Sequence, residues 1–156
     1  MSYFLPNFRT IVCTQTRFPL LESFDFIEKC STEGELLVKL AENTDSVRIL
    51  VCTQEMFLNL PKESIPPNLE TIYCISDLSD MIDSFEIIEK NAQITKFSNE
   101  NELVLNLLFK IILAYYSQSQ KYQKDAEQSL ANSCIHIALE TIKQIKTNRD
   151  VFCPSL

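Results

Sequence analysis

The sequence predicts an α/β protein: a three-layer, doubly wound, mostly parallel sheet of five strands in the order 2-1-3-4-5, with a C-terminal helical extension. Three observations carry this expectation. Short apolar runs rich in β-branched residues alternate with stretches of helical period. Those runs are continuous, as in strands buried on both faces of a parallel sheet. Two of them nearly repeat, "IVCTQT" at Ile11–Thr16 and "LVCTQE" at Leu50–Glu55, and "IYCIS" at Ile72–Ser76 echoes both.

Element by element, "FRTIVCT" (Phe8–Thr14) reads as a buried strand and "FDFIEKC" (Phe24–Cys30), which alternates, as a half-exposed edge strand. The link "QTRFPLLES" between them is shorter than a usual parallel crossover and has room for two helical turns. "TEGELLVKLAEN" (Thr32–Asn43) reads as a helix opened by a Thr32/Glu35 capping box, with Leu36, Leu37 and Leu40 as its apolar stripe. "VRILVC" (Val47–Cys52) is the next buried strand. A short helix precedes Pro61, and Pro66-Pro67 enforces an extended turn. "ETIYCIS" (Glu70–Ser76) reads as a strand. "DLSDMIDSFEIIEKN" (Asp77–Asn91) reads as a helix capped by Asp77, whose later part "SFEIIEK" also fits a strand. "AQITKF" (Ala92–Phe97) is the last strand.

From Ser98 onward the character changes. Ser98 or Asn99 caps a helix, and Leu103–Tyr116 is apolar except for Asn106 and Lys110, which share one face. That run of 14 is too short for a membrane span and carries a lysine. "SQSQKYQKDAEQS" is a linker or a solvated helical stretch. "LANSCIHIALETIKQIK" is amphipathic, with Ala131, Cys134, Ala138, Ile142 and Ile145 at steps of three or four. Pro154 closes a loose tail. The expected organisation is an α/β domain over 1–117, a helical extension over 118–148 and a flexible tail over 149–156.

Composition excludes several functions. The net charge is −7; residues 1–98 hold 8 basic and 15 acidic residues, and 99–156 hold 6 of each. Neither part has the basic footprint that nucleic acid needs, and an acidic first part is repelled by anionic membranes. Gly34 is the single glycine, so a Walker loop and a GxGxxG fingerprint are absent. "MSYFLPNFRT" is no secretory signal, and the six cysteines are widely spaced without CxxC. A cytoplasmic chain with reduced thiols is expected.

The expected sheet order makes the strands of Cys13, Cys52 and Cys74 neighbours near their carboxyl ends, where open α/β sheets place ligands. Packing as small hydrophobes is the expected role, with redox chemistry or metal binding as alternatives. No metal site is assigned, because zinc wants a fourth ligand and the one histidine, His136, lies far along the chain. Cys134 and His136 point about 200° apart on a helix and cannot act together. Paired carboxylates such as Asp77/Asp80/Asp83 fit caps and solvent faces. No catalytic residue and no cofactor is assigned. Thr14, Thr53, Ser76 and Lys96 would crowd the sheet rim and form the candidate ligand-binding set.

This layout resembles the receiver domains of phosphorelay signalling over residues 8–117. The resemblance implies an acidic pair after strand 1, an acceptor aspartate after strand 3, a Ser/Thr after strand 4 and a lysine after strand 5. Here the first rim is Cys13-Thr14-Gln15 and the second Cys52-Thr53-Gln54, without an acid, while Ser76 and Lys96 match the last two positions. Without the acids there is no Mg²⁺ site and no phosphoryl acceptor, so a pseudo-receiver is implied. "VRILVCTQ", "LPKESIPPNLETIYCIS" and "AQITKFSNENEL" also resemble, in order, segments of receiver-like accessory domains in eukaryotic multidomain proteins with ADP-ribosyltransferase or tetratricopeptide modules. That likeness implies a non-catalytic accessory role. TIR-like domains share the topology, and Glu55 is the one nearby candidate for their catalytic glutamate.

The expected function is a non-catalytic pseudo-receiver that mediates protein–protein contact, including a homodimer through the C-terminal helices. Leu103, Leu107, Ile111, Ala131, Cys134, Ala138 and Ile142 are the expected interface. The alternative is a small-ligand or nucleotide-processing enzyme, TIR-like or other, with its site at the strand carboxyl ends.

Overall fold

A computed structural model describes residues 8–15, 21–22, 24–75, 93–97 and 100–149. The expected helix over Asp77–Asn91, the caps at Ser98 or Asn99, Ser76, Cys153 and the tail beyond Arg149 lie outside the described residues. The chain divides into two compact units, one built on Pro6–Glu100 and one on Asn101–Leu156.

The first unit is α/β, with a parallel sheet, as the sequence predicts. Its strands are β1 (Arg9–Cys13), β2 (Ile27–Cys30), β3 (Val47–Thr53), β4 (Thr71–Ile75) and β5 (Gln93–Phe97). They pair in the order β2-β1-β3-β4-β5, and every pairing is parallel. Strand β2 is shorter than the alternation of "FDFIEKC" suggests. Phe24 N–H donates to the Leu21 carbonyl and Ile27 N–H to the Phe24 carbonyl, so turn bonds claim the backbone before Ile27.

Helix α1 (Glu33–Ala41) starts where the capping box places it. Thr32 Oγ1 accepts from Glu35 N–H at 3.1 Å, and Glu35 Oε2 accepts from Ser31 N–H at 3.3 Å. Helix α2 (Gln54–Asn59) begins directly at the end of β3, capped by Thr53 Oγ1 on Met56 N–H at 3.1 Å. One sheet face presents Ile11, Cys13, Cys30, Leu50, Cys52, Ile72 and Cys74. It forms one buried cluster with Leu36 and Leu40 of α1 and Phe57 of α2. These side chains repeat at every second residue of each strand, which is the period of one face.

The second unit contains α3 (Glu100–Lys124) and α4 (Gln128–Thr147). Helix α3 runs unbroken through the polar "SQSQKYQK" segment. It ends in a Schellman motif: Glu127 N–H donates to the Tyr122 carbonyl at 2.8 Å and Ala126 N–H to the Gln123 carbonyl at 3.2 Å. Ala126 holds the left-handed position that glycine favours, with φ 60°. Tyr115 and Cys134 are both buried and lie close enough to interact electrostatically, which brings the two helices side by side. No helix among the described residues is long and apolar enough to cross a membrane.

Candidate functional site

Strand register aligns four cysteines in one row. Cys30 pairs with Cys13, Cys13 with Cys52 and Cys52 with Cys74, and Lys96 holds the next position of the row on β5. All four thiols are free and buried. Residues at one register level of a parallel sheet share a face, so the row is continuous across β2, β1, β3 and β4. The thiols interact in two register pairs, Cys13 with Cys30 and Cys52 with Cys74.

The first pair is electrostatically asymmetric. The hydrogen bond with Cys30 pulls the Cys13 thiol below its ordinary pKa, against the effect of burial. The same bond, together with burial, pushes Cys30 up. Cys52 is pushed up by its hydrogen bond with Cys74 and by burial. Cys13 Sγ also lies 3.5 Å from the Thr32 carbonyl oxygen and 3.7 Å from Met56 Sδ. The near-repeats mark Cys13, Cys52 and Cys74 in the sequence, and Cys30 lies outside them. The signal it offers is weak: Cys30 ends a strand, as Cys13 nearly does, but only the β1–β2 pairing aligns them.

An open cavity of about 510 Å³ lies at the carboxyl ends of β1 and β2, lined by Thr14, Gln15, Glu22, Lys29, Cys30, Ser31 and Glu35 among others. Its lining mixes both charge signs with hydroxyl and thiol groups. Lys29 Nζ donates to the Phe24 carbonyl at 3.2 Å.

The candidate rim residues are only partly assembled. Thr14 borders this cavity, and its N–H donates to the Cys30 carbonyl at 3.2 Å. Thr53 is one position beyond Cys52 and caps α2, so its hydroxyl already serves a backbone group. Lys96 sits on β5, two strands away from β3. Ser76 lies outside the described residues. Between Thr53 and Glu55 stands Gln54, 3 % exposed, with no hydrogen-bond partner for either side-chain amide atom. Glutamine after a strand carries no warning of this in sequence; the burial comes from α2 folding back at once. Glu55 is exposed in the first turn of α2. Among the described residues no three His, Cys, Asp or Glu side chains group as metal ligands.

No protein-family model and no curated protein matches the chain. Chemistry and geometry therefore carry the functional reading alone.

The second unit sorts the expected interface residues inward. Leu103, Leu107, Ile111, Ala131, Cys134 and Ala138 are buried within the chain, and Ile142 is half-buried. The apolar residues left exposed on α3 are Phe109, Leu113 and Tyr116, with Leu113 the most exposed at 67 %.

Proposed function

We propose that the chain is a non-catalytic pseudo-receiver module that binds a second copy of itself through α3. The receiver-like part of this reading rests on a parallel sheet paired in the order β2-β1-β3-β4-β5 with helices α1 and α2 on one face. Its two central rims offer Thr14-Gln15 and Thr53-Gln54 where a working receiver keeps acids. Neither rim segment carries the carboxylate that metal-dependent phosphoryl transfer uses at these positions.

The observation that carries self-association is the exposed seam of α3. Glu102, Asn106, Phe109, Leu113, Tyr116 and Gln120 are all exposed and recur at steps of four, three, four, three and four. That is the 3.5-residue period of a coiled-coil seam, apolar at its centre. Leu113 stands eleven residues from Glu102 and eleven from Lys124, so all three share a face over three turns on each side. An antiparallel second copy crossing at Leu113 sets Glu102 against Lys124 at both ends of the contact. Apolar centre and complementary ends together favour a copy of this chain over an unrelated apolar partner.

Sedimentation equilibrium of the full chain tests this. A dimer is expected at micromolar concentration, and Leu113→Asp, on an exposed site, returns it to monomer without loss of helix. A monomer at all concentrations, or a dimer indifferent to Leu113→Asp, overturns the proposal.

The cavity beside Thr14 and the unpartnered Gln54 favour a second reading, a small-ligand site at the strand carboxyl ends. A thermal-shift screen with nucleotides and acyl phosphates separates the two, since a ligand well above its Kd raises the melting temperature by several degrees.

A further inference from the structure

Three sulfur atoms stand at the carboxyl end of β1. Cys13 pairs in register with Cys30 of β2, and its Sγ lies 3.7 Å from Met56 Sδ. Two metal–sulfur bonds of about 2.3 Å, meeting somewhat above a right angle, span that separation. The sulfurs of Cys13 and Met56 are thus already at the spacing of two donors on one ion. Met56 is half-buried at the edge of the core cluster, and Cys30 borders the open cavity, which supplies an entry path.

We infer that Cys13, Cys30 and Met56 form a binding site for a single copper(I) ion, entered from the cavity beside Cys30. The donor set selects the ion. Thiolate and thioether sulfur are soft ligands, which copper(I) prefers. Zinc wants four donors and has little use for a thioether, and no third thiolate, imidazole or carboxylate joins the set among the described residues. Binding is a proton exchange without electron transfer: one Cu⁺ replaces the protons of two thiols, giving a bis-thiolate with the thioether as third donor and releasing two protons. The complex carries one negative charge. Lys39 acts on Cys30 electrostatically in the favourable direction and Glu35 in the opposite one. The Cys52–Cys74 pair is the internal control. It is likewise paired in register, but both residues are fully buried and neither lines the cavity.

The test is an anaerobic titration of the reduced full chain with copper(I) against a chromophoric copper(I) chelator. One equivalent withheld from the chelator is expected, with new ultraviolet sulfur-to-copper absorption. Cys30→Ser abolishes this uptake, and Cys74→Ser leaves it intact. Met56→Leu conserves volume at a half-buried position, so it stays informative if a cysteine variant fails to fold. It weakens affinity roughly tenfold, as loss of one weak donor should, and keeps the stoichiometry. No copper withheld, uptake unchanged in Cys30→Ser and Met56→Leu, or uptake lost with Cys74→Ser instead, overturns the inference.

Discussion

Arg9 and Glu28 form a two-bonded ion pair between β1 and β2: Nε donates to one carboxylate oxygen at 2.6 Å and Nη2 to the other at 2.7 Å. The same guanidinium donates to the Lys39 carbonyl at 3.1 Å and to the Glu42 carbonyl, at the carboxyl end of α1. One buried cation therefore ties two strands to a helix terminus, where the helix dipole also favours positive charge. The hydrogen bonds and charge of Glu28 raise the Arg9 pKa despite burial.

Breaking this pair leaves a buried charge without its counter-ion. Glu28→Gln is expected to cost about 2–3 kcal/mol, at the lower end for a buried pair because Glu28 is partly solvated. Arg9→Lys also destabilises, since an ammonium cannot reproduce the fork. Urea denaturation reads both as a lower midpoint at unchanged slope. A loss below about 0.5 kcal/mol would place the pair among ordinary surface contacts.

Glycine and alanine occupy each other's favoured places in this chain. Gly34 lies in the first turn of α1, and a Cβ built on it meets nothing within 4 Å. Ala126 holds a left-handed conformation. Gly34→Ala and Ala126→Gly are each expected to stabilise by about 0.5–1 kcal/mol. Thermal melts of the two variants check this, and a fall in either melting temperature contradicts it.

Burial pushes the Cys134 thiol up to about 11. The folded state then keeps a proton that the unfolded thiol has already released, because the ordinary value is 9.0. Stability from this group is complete below the unfolded pKa and declines as pH rises from about 9 towards 11. Urea midpoints measured at pH 8, 9 and 10 should fall for the wild type, and less steeply for Cys134→Ala. Parallel falls would assign the effect to other groups.

The Gln54 side chain has no bonded partner for a buried amide, which is costly. Gln54→Met keeps the volume and removes that cost, so a gain of about 1 kcal/mol is expected in the free protein. Guanidinium denaturation of the two proteins measures it. Marked destabilisation instead would show that the amide is bonded in solution.

Charge reversal tests the proposed antiparallel pairing of α3 with a second copy. Lys124→Glu sets acid against acid and weakens the dimer, and adding Glu102→Lys in the same chain restores it. Lys124 is exposed, so Lys124→Glu changes fold stability by less than about 0.5 kcal/mol. Failure of the double variant to restore association argues against the antiparallel arrangement.

Sequence alone determined the local elements. Continuous β-branched runs placed β1, β3 and β4, the Thr32/Glu35 pair marked the start of α1, and the missing acids at both "CTQ" rims were plain. These are properties of neighbours in the chain, governed by backbone preferences and side-chain period. Pairing decided the rest. Cys30 meets Cys13 only because β2 lies beside β1 in that register, and Met56 joins them only because α2 turns back at Thr53. On α3, an almost wholly apolar run conceals which stripe is buried. Packing took Leu103, Leu107 and Ile111 inward and left Phe109, Leu113 and Tyr116 outside. Hydrophobic burial is non-directional, so composition calls for a buried face, while three-dimensional contact selects which face it is.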